Sequence, residues 1–543
     1  MVLALAFTGM LIVVLSGANG RLREIPLDAQ FGLLQLLPPA FWFGLSLMGL
    51  AMGLAVWMRS DILIAITGVL FFATFAGTRM LFEPNPAIWD GYLHVGEALE
   101  SGAAGHLPAS MEQYSANWPG FFLDAWFLLA ITNIPPVSLL WAFPFLTGGL
   151  TFLALFVFLR FLIPGRAAAW SAVFGSLLNV WAQYWAAPQS VGLFLFFLVL
   201  ATLWRRDIAS RLANAILFLG LVVTHPTSTI LLLAILFTDM GISYASRLRR
   251  ATPETAPDEG ISFAHNPAIA YGVTWLGWLF LRATGSAQVA TTTIAARIGF
   301  ILQVPEQAVN LATRRTAENL FMWPPLIRLA CLAVFGLVVV RTLVLLRRES
   351  PSRGLMRFLI AIVGGAMALA FVDILAFRGE LYDRSLMLFA ALAPAICMLG
   401  LEPSRARHAI RVPVLAILVA ASLAAASTAY YQESFYFVSS EAVAVSEFLQ
   451  RVNPDSLVLD GLYPVPIWRA SHTSPLRIGF YEVYPRPFGD FYERPTAYAV
   501  FDGTALIWYR QYRGVETYRF YEASRWPYPL IYNNGHAQIY FIH

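Results

Sequence analysis

The chain is a succession of apolar runs, and their length limits what it can fold into. A membrane-spanning helix needs about 20 apolar residues, because it rises about 1.5 Å per residue through a hydrocarbon layer about 30 Å thick. Runs that reach or approach this length cover residues 2–17, 36–57, 62–81, 138–160, 168–182, 189–204, 212–224, 226–243, 266–283, 323–346, 357–377, 385–401 and 412–431. They make about thirteen candidate spans, several short enough to be tilted, broken or shielded by neighbours. A further apolar stretch, 119–133, either crosses or dips in and returns. Of the 543 residues 58% are hydrophobic and 13% charged, and the mean hydropathy is +0.64. A soluble protein of this size has no way to hide so much apolar surface. The expected fold is a polytopic α-helical membrane protein.

Arginine placement orients the spans, since short cytoplasmic loops carry the excess of Lys and Arg. The connections holding Arg59, Arg160 with Arg166, Arg205 with Arg211, Arg247 with Arg250, Arg347 with Arg353, and Arg405 with Arg411 all favour the cytoplasm. That arrangement predicts a multi-pass plasma-membrane protein with a cytoplasmic N-terminus. Segments 82–118, 183–188, Thr224-His225-Pro226, 284–322, 378–384 and everything after Tyr431 then lie outside. The opening MVLALAFTGMLIVVLS lacks a basic leader region and reads as a first span rather than a cleaved signal. Cys331 and Cys397 sit within apolar runs as packing residues. The net charge of +4 comes with no basic stripe on a soluble segment, so no nucleic-acid partner is expected.

Composition changes after residue 431, where Tyr, Trp, Pro and charged residues replace the apolar runs. The spacing predicts an amphipathic helix over 440–451 and strands over 457–459, 497–501 and 506–509. A hairpin is expected at 531–536, where Asn534-Gly535 supplies the turn. The predicted division is a transmembrane domain, 1–431, and a small extracytoplasmic α/β domain, 432–543.

Chemistry is expected where ionisable groups cluster at the bilayer edge. FEPNPAIWDGYLH, residues 82–94, opens the first large polar segment. Asp90, His94 and Glu97 share one face if that segment is helical. Asp90 is either a capping surface carboxylate, a general base toward a hydroxyl acceptor, or an oxygen ligand of a divalent cation such as Mg or Mn. His94 is its partner, an acceptor contact or a packing residue; Glu83 is a further catalytic candidate or a boundary residue. Asn117-Trp118-Pro119-Gly120 returns the segment to the membrane through a break that can line a cavity. Asp124 follows within apolar sequence and requires either a polar cavity or an interfacial position. Gln189 in APQS and His225 in THPT stand beside Pro-broken helix ends, which favour anions or simple capping. Arg384 and Arg378, in RGELYDR, are candidates for a lipid-linked phosphate or for ion pairs with Glu380, Asp383 or Asp373. Arg314-Arg315 reads as a solvated face.

WDGYLH after an early span, YSANWPGF at the loop's re-entry, the APQS and THPT turns, and ELYDR before a late span occur in that order between about residues 60 and 400. This set resembles the membrane glycosyltransferases of the GT-C fold that use polyprenyl-phosphate sugars. The resemblance implies transfer of one sugar to a hydroxyl acceptor at the outer face, with Asp90 as the catalytic or metal-linked carboxylate. It implies Asn117 and Trp118 near the sugar and Arg384 on the donor phosphate. The WWDYG motif of oligosaccharyltransferases is absent, as are the Asp-Glu pair of protein O-mannosyltransferases at Asp90-Gly91 and the re-entrant lysine of aminoarabinose transferases. The acceptor is left as an envelope glycan, lipid or protein. A transporter or flippase of lipid-linked glycans, a glycan polymerase or ligase, and a non-catalytic envelope scaffold are the alternatives.

Overall fold

The structure is a computed structural model that describes residues 1–543 except 27–28, 108–113, 204, 206, 249–264, 289–290, 293–322, 350–352, 377–381, 402–407, 453–456, 461–476, 481–496, 503–528, 535–536 and 543. It is mostly helical, and a mixed sheet follows the last long apolar helix. Among the described residues six helices are long and apolar enough to cross a membrane: α1 (Val2–Asn19), α3 (Pro39–Trp57), α9 (Pro136–Leu162), and the apolar parts of α13 (Pro226–Leu248), α15 (Trp323–Glu349) and α17 (Tyr382–Gly400). A four-residue helix, α2 (Leu33–Leu36), leads into α3. Shorter apolar helices stand among them: α4 (Asp61–Ala76), α8 (Gly120–Thr132), α11 (Pro188–Leu203), α12 (Ile208–Thr224), and the apolar parts of α14 (His265–Leu281), α16 (Arg353–Ala376) and α18 (His408–Ala426). Fold and composition define a multi-span membrane protein.

Helix starts are written locally in the sequence. Ser60 accepts a hydrogen bond from the Leu63 amide to cap α4, and Asp207 accepts one from the Ser210 amide to cap α12. Pro136, Pro188 and Pro226 open α9, α11 and α13, where the missing N–H costs nothing and φ is already helical. All three prolines lie at one end of the bundle, and the polar turns they bound are brought together there. At the opposite end Arg160 clamps Asp61 with two hydrogen bonds of 2.7 and 3.0 Å, and Arg166 donates to the Trp57 carbonyl.

One expected span is shorter. The run 62–81 breaks at Gly77 into α4 and α5 (Thr78–Phe82), and the Phe145 ring packs against the break, 2.2 Å from where a Cβ at Gly77 would stand. α10 (Gly165–Leu178) ends four residues before the predicted limit of its run. α1 and α3 cross at a glycine pair: a Cβ on Gly9 would lie 2.5 Å from the Gly44 carbonyl, and the reverse contact would be 2.6 Å. Such small-residue crossings let backbones approach where lipid offers no hydrophobic drive to associate. Within the bundle Asp239 of α13 pairs with Arg357 of α16 at 2.7 Å.

α6 (Trp89–Ala104) and α8 depart from the spanning pattern. α6 packs on α8 and touches α9. α8, with 13 residues, is about 20 Å long and so falls short of a bilayer. It still exposes Leu123, Phe127 and Ile131, with Asp124 among them.

The tail forms a five-stranded sheet of order β2-β1-β3-β5-β4 from β1 (Leu457–Asp460), β2 (Arg477–Phe480), β3 (Ala497–Asp502), β4 (Leu530–Asn533) and β5 (Ala537–Ile542). β1 pairs in parallel with β2 and β3, and β3, β5 and β4 pair antiparallel. Ser440–Val452 (α19) buries Val445 and Leu449 against β3 and β5 as its apolar spacing requires. The expected hairpin is the β4–β5 pair, and β2 is an addition to the predicted strands. The predicted strand 506–509 lies outside the described residues.

Candidate active site

Asp90 occupies the second position of α6, where the positive end of the helix dipole favours a carboxylate. Two donors hold it. The Trp185 indole Nε1 donates to Oδ2 at 3.1 Å, and His94 Nε2, one turn along α6, lies 3.4 Å from the same oxygen. The helical spacing read from the sequence is therefore realised as contact. Burial alone would raise the Asp90 pKa, but His94, the Trp185 hydrogen bond and the charge of Arg384 outweigh it and hold the group below its ordinary value. His94 shows the complement: burial disfavours its charge, yet Asp90 and then Glu97 raise its pKa. The pair is carboxylate and imidazolium. Phe121 and Phe122 of α8 close edge-on around the imidazole, with centroids 6.0 and 5.7 Å away. The Asp90 side chain keeps 27% exposure against 15% for His94, so the carboxylate is the more open of the two.

The residue before α6 is strained. Ile88 is fully buried and adopts φ 75°, ψ 94°, a region that a β-branched residue rarely enters. Its amide donates to the Tyr436 carbonyl at 2.8 Å, and its own carbonyl accepts from Gly91 at 3.0 Å.

Cationic and neutral donors reach the same end from other helices. Arg384, in the first turn of α17, is near enough to Asp90, Tyr114 and His225 for its charge to act on each. His225 closes α12 immediately before Pro226, with its Nδ1 accepting the Ser228 amide at 3.2 Å and lying 2.8 Å from the Ser228 hydroxyl. Burial first, then Arg384 and His94, push its pKa down to about 3. With Nδ1 occupied as acceptor, the neutral ring carries its proton on Nε2. His225 thus offers an N–H and no charge.

Other residues expected at the site have different surroundings. Glu83 is fully buried and meets Glu433 and Arg79 instead of Asp90. Arg79 Nε donates to Glu433 Oε2 at 2.6 Å, and the guanidinium lies over the Tyr430 ring at 4.8 Å and the Tyr436 ring at 5.5 Å. Burial and the neighbouring Glu433 hold Glu83 well above the carboxylate range, so it keeps its proton. Asn117 and Trp118, in and after α7 (Tyr114–Asn117), are both buried and face α14 and a helical turn over 284–288. The Asn117 carbonyl accepts from Trp278 at 3.1 Å, its amide oxygen accepts from the Ser286 N–H at 3.4 Å, and Trp118 Nε1 donates to Ser286 Oγ at 3.2 Å. These contacts dock the re-entrant turn. Gln189 donates to the Met387 sulfur at 3.2 Å while its buried Oε1 meets no donor. Arg378 and Glu380, and the arginines expected at 314–315, lie outside the described residues.

Sequence reasoning passed over three contributors. Trp185 was visible only as the start of a polar turn, and nothing in its neighbours announces a hydrogen bond to a residue 95 positions earlier. Arg79 lies within the apolar run 62–81 and Glu433 in the tail, and no local signal shows that the two bond across 354 positions. Among the described residues no group of three or more His, Cys, Asp or Glu side chains is arranged to hold a metal ion. Asp90 presents one carboxylate whose Oδ2 already faces two donors, so this donor set does not by itself make a divalent-cation site.

Fold and site together define a multi-span helical membrane protein with a carboxylate–imidazolium pair and a guanidinium gathered at one end of its bundle. No family model matches the sequence, and no curated protein does. Among solved structures, the crystal structure of ArnT from Cupriavidus metallidurans bound to undecaprenyl phosphate is similar over 90% of this chain and 98% of that chain, at 9% identity and a TM-score of 0.46.

Proposed function

We propose that the protein is an integral-membrane glycosyltransferase of the GT-C type that moves one sugar from a polyprenyl-phosphate donor to a hydroxyl acceptor at the outer face. The observation that carries this reading is convergence. A base candidate on α6, a guanidinium on α17 and a neutral imidazole N–H between α12 and α13 stand within electrostatic reach at one end of the bundle, though more than a hundred residues separate each from the next in sequence. Transferring a glycosyl group requires this pairing of roles: something to take the acceptor proton and something to receive the charge on the leaving phosphate. The ordered motifs WDGYLH, YSANWPGF, APQS, THPT and ELYDR support it independently. In this reading 1–431 is the transmembrane catalytic part, and 432–543 an extracytoplasmic domain on the acceptor side. The acceptor is an envelope glycan, lipid or protein.

Asp90 takes the proton as the acceptor oxygen bonds to the anomeric carbon. The bond from that carbon to the phosphate oxygen breaks, and the electron pair leaves with the polyprenyl phosphate. Arg384 meets the added negative charge, and His225 Nε2–H donates to a phosphate oxygen. His94 keeps Asp90 ionised until the acceptor arrives. No step is routed through a cation, because among the described residues no group of three or more His, Cys, Asp or Glu side chains is arranged to hold one; a metal would draw most of its ligands from the donor.

The test is purified protein in detergent with radiolabelled polyprenyl-phosphate hexose and a pool of envelope lipids and glycans, with and without EDTA. Label should leave the donor with wild type and fall by about 10²–10⁴-fold with Asp90→Asn, the range of a lost general base. Near-normal turnover in that variant removes Asp90 from the mechanism. Label that stays on the donor while the protein moves the lipid across a liposome bilayer replaces the enzyme with a transporter.

A further inference from the structure

We propose that the tail segment 433–438 is a strap that, together with Trp185, positions Asp90, so that the carboxylate takes its reactive orientation only when the tail is docked. The inference rests on the glycosyltransferase reading for its kinetic consequence and on geometry for the rest. Three hydrogen bonds tie the strap to the approach to α6. Glu433 holds Arg79 at 2.6 Å. The Tyr436 carbonyl accepts from the strained Ile88 amide at 2.8 Å, and the Val438 carbonyl accepts from Asn85 Nδ2 at 3.1 Å.

Each contact bears on Asp90 through few intermediates. Ile88 stands two residues before Asp90, and a positive φ at a β-branched position persists only where surrounding bonds over-determine it. Released from the Tyr436 carbonyl, the Ile88 backbone relaxes toward negative φ and turns the start of α6, carrying Asp90 with it. From the other side, the Trp185 ring lies 6.0 Å from the Tyr436 ring and 6.0 Å from the Arg79 guanidinium while its N–H holds Asp90 Oδ2. The strap therefore sets both the main chain that carries the carboxylate and the indole that aims it. Trp185 and the strap are positioning groups; neither has a reacting atom to act on.

Charge makes the strap selective for its docked place. Arg79 is buried and bonds Glu433 at 2.6 Å, with Glu83 beside it. Removing Glu433 takes away the carboxylate that bonds this guanidinium among Tyr430, Tyr436 and Trp185, which breaks a buried pair from one side.

The experiment uses the full chain in lipid nanodiscs and compares wild type, Glu433→Gln, Asn85→Ala and Trp185→Phe by amide hydrogen exchange and by donor turnover. Amides over 86–93 should exchange at least about tenfold faster in Glu433→Gln, and less so in Asn85→Ala, with the long helices unchanged. Trp185→Phe should leave exchange near wild type, lower kcat about tenfold with donor KM within about twofold, and move the acid limb of the kcat profile upward. The limb moves because Asp90 loses an N–H that favours its ionised form. Unchanged exchange over 86–93 in Glu433→Gln overturns the strap. A Trp185→Phe enzyme with wild-type kcat and acid limb overturns the aiming role. If wild type itself transfers no label, the functional reading fails, and the exchange comparison still decides whether the tail holds the start of α6.

Discussion

His94 and His225 stand at the same end of the bundle with opposite protonation, and each state follows from what faces the ring. His94 Nε2 meets a carboxylate, and its pKa is raised; His225 Nδ1 accepts from Ser228, and burial and nearby cations drive its pKa to about 3. With its pKa pushed down to about 3, His225 stays neutral between about pH 5 and 9, and pH dependence in that range comes from elsewhere in the site. The His94 shift has a stability consequence whose sign is fixed by linkage. Its folded pKa lies above the ordinary 6.5, so the ion pair contributes fully below about 6.5 and is lost as pH rises through the folded value. The Asp90 partner runs the other way: its contribution is present above 3.8 and is lost as pH falls through its depressed folded value. Thermal unfolding of His94→Gln against wild type should show its largest deficit near pH 6 and a shrinking one toward pH 9. A deficit that stays constant across that range would mean that His94 serves packing against Phe121 and Phe122 and not charge. The contact of Asp90 with His94 was legible in the sequence because helical geometry fixes which residues four apart must meet. That with Trp185 was not, since no local rule places an indole from a later turn against a carboxylate.

Helices in this bundle are held by two different devices, and each predicts a different response to substitution. Gly9 and Gly44 allow α1 and α3 to meet backbone to backbone, a contact that depends on having no side chain. Asp239 and Arg357 join α13 to α16 through charge, with Asp239 almost fully buried. Breaking such a pair from one side strands a charge in low dielectric, whereas replacing both sides with apolar groups of similar volume is close to neutral. Asp239→Leu should therefore lower stability by about 3–5 kcal/mol, and Asp239→Leu with Arg357→Leu should recover most of it, read as detergent-resistant folded fraction on heating. Additive losses in the double variant would show that the pair does not act as a unit. At this scale the sequence was most informative. Hydropathy located the long helices, and the proline breaks at Pro188 and Pro226 marked the starts of α11 and α13. The break at Gly77 was hidden, because a run of apolar residues reads alike whether it is one helix or two; the Phe145 ring that packs against the break comes from 68 residues later. In the tail, β2 was missed because Arg477-Ile478-Gly479-Phe480 carries too few β-formers for its register beside β1 to show.

Across the whole molecule, the segment before α6 and the segment after α18 lie on the same side of the bundle, since Arg79, Asn85 and Ile88 all bond to residues 433–438. The tail is thus structurally continuous with the candidate site, although composition alone marked it as a separate unit. A chain ending after Tyr431 should insert and pack its helices, because among the described residues the buried members of the cluster uniting α1, α3, α9, α10, α13 and α17 reach no further than Tyr430. It should lack donor turnover even so, and recover part of it when residues 432–543 are supplied as a separate polypeptide. Full turnover by the shortened chain would confine the tail to a role outside the reaction. The Arg79–Glu433 bond joins residues 354 positions apart, and that span has a temporal meaning. A ribosome delivers Arg79 long before Glu433 exists, so during synthesis the end of the bundle that carries Asp90 waits without the carboxylate that clamps Arg79. The last long helix must be placed and the tail delivered to the same side before the two can meet. Closure of this bond is in this sense a receipt for finished biogenesis: a chain stalled, truncated or inserted with the wrong topology never makes it.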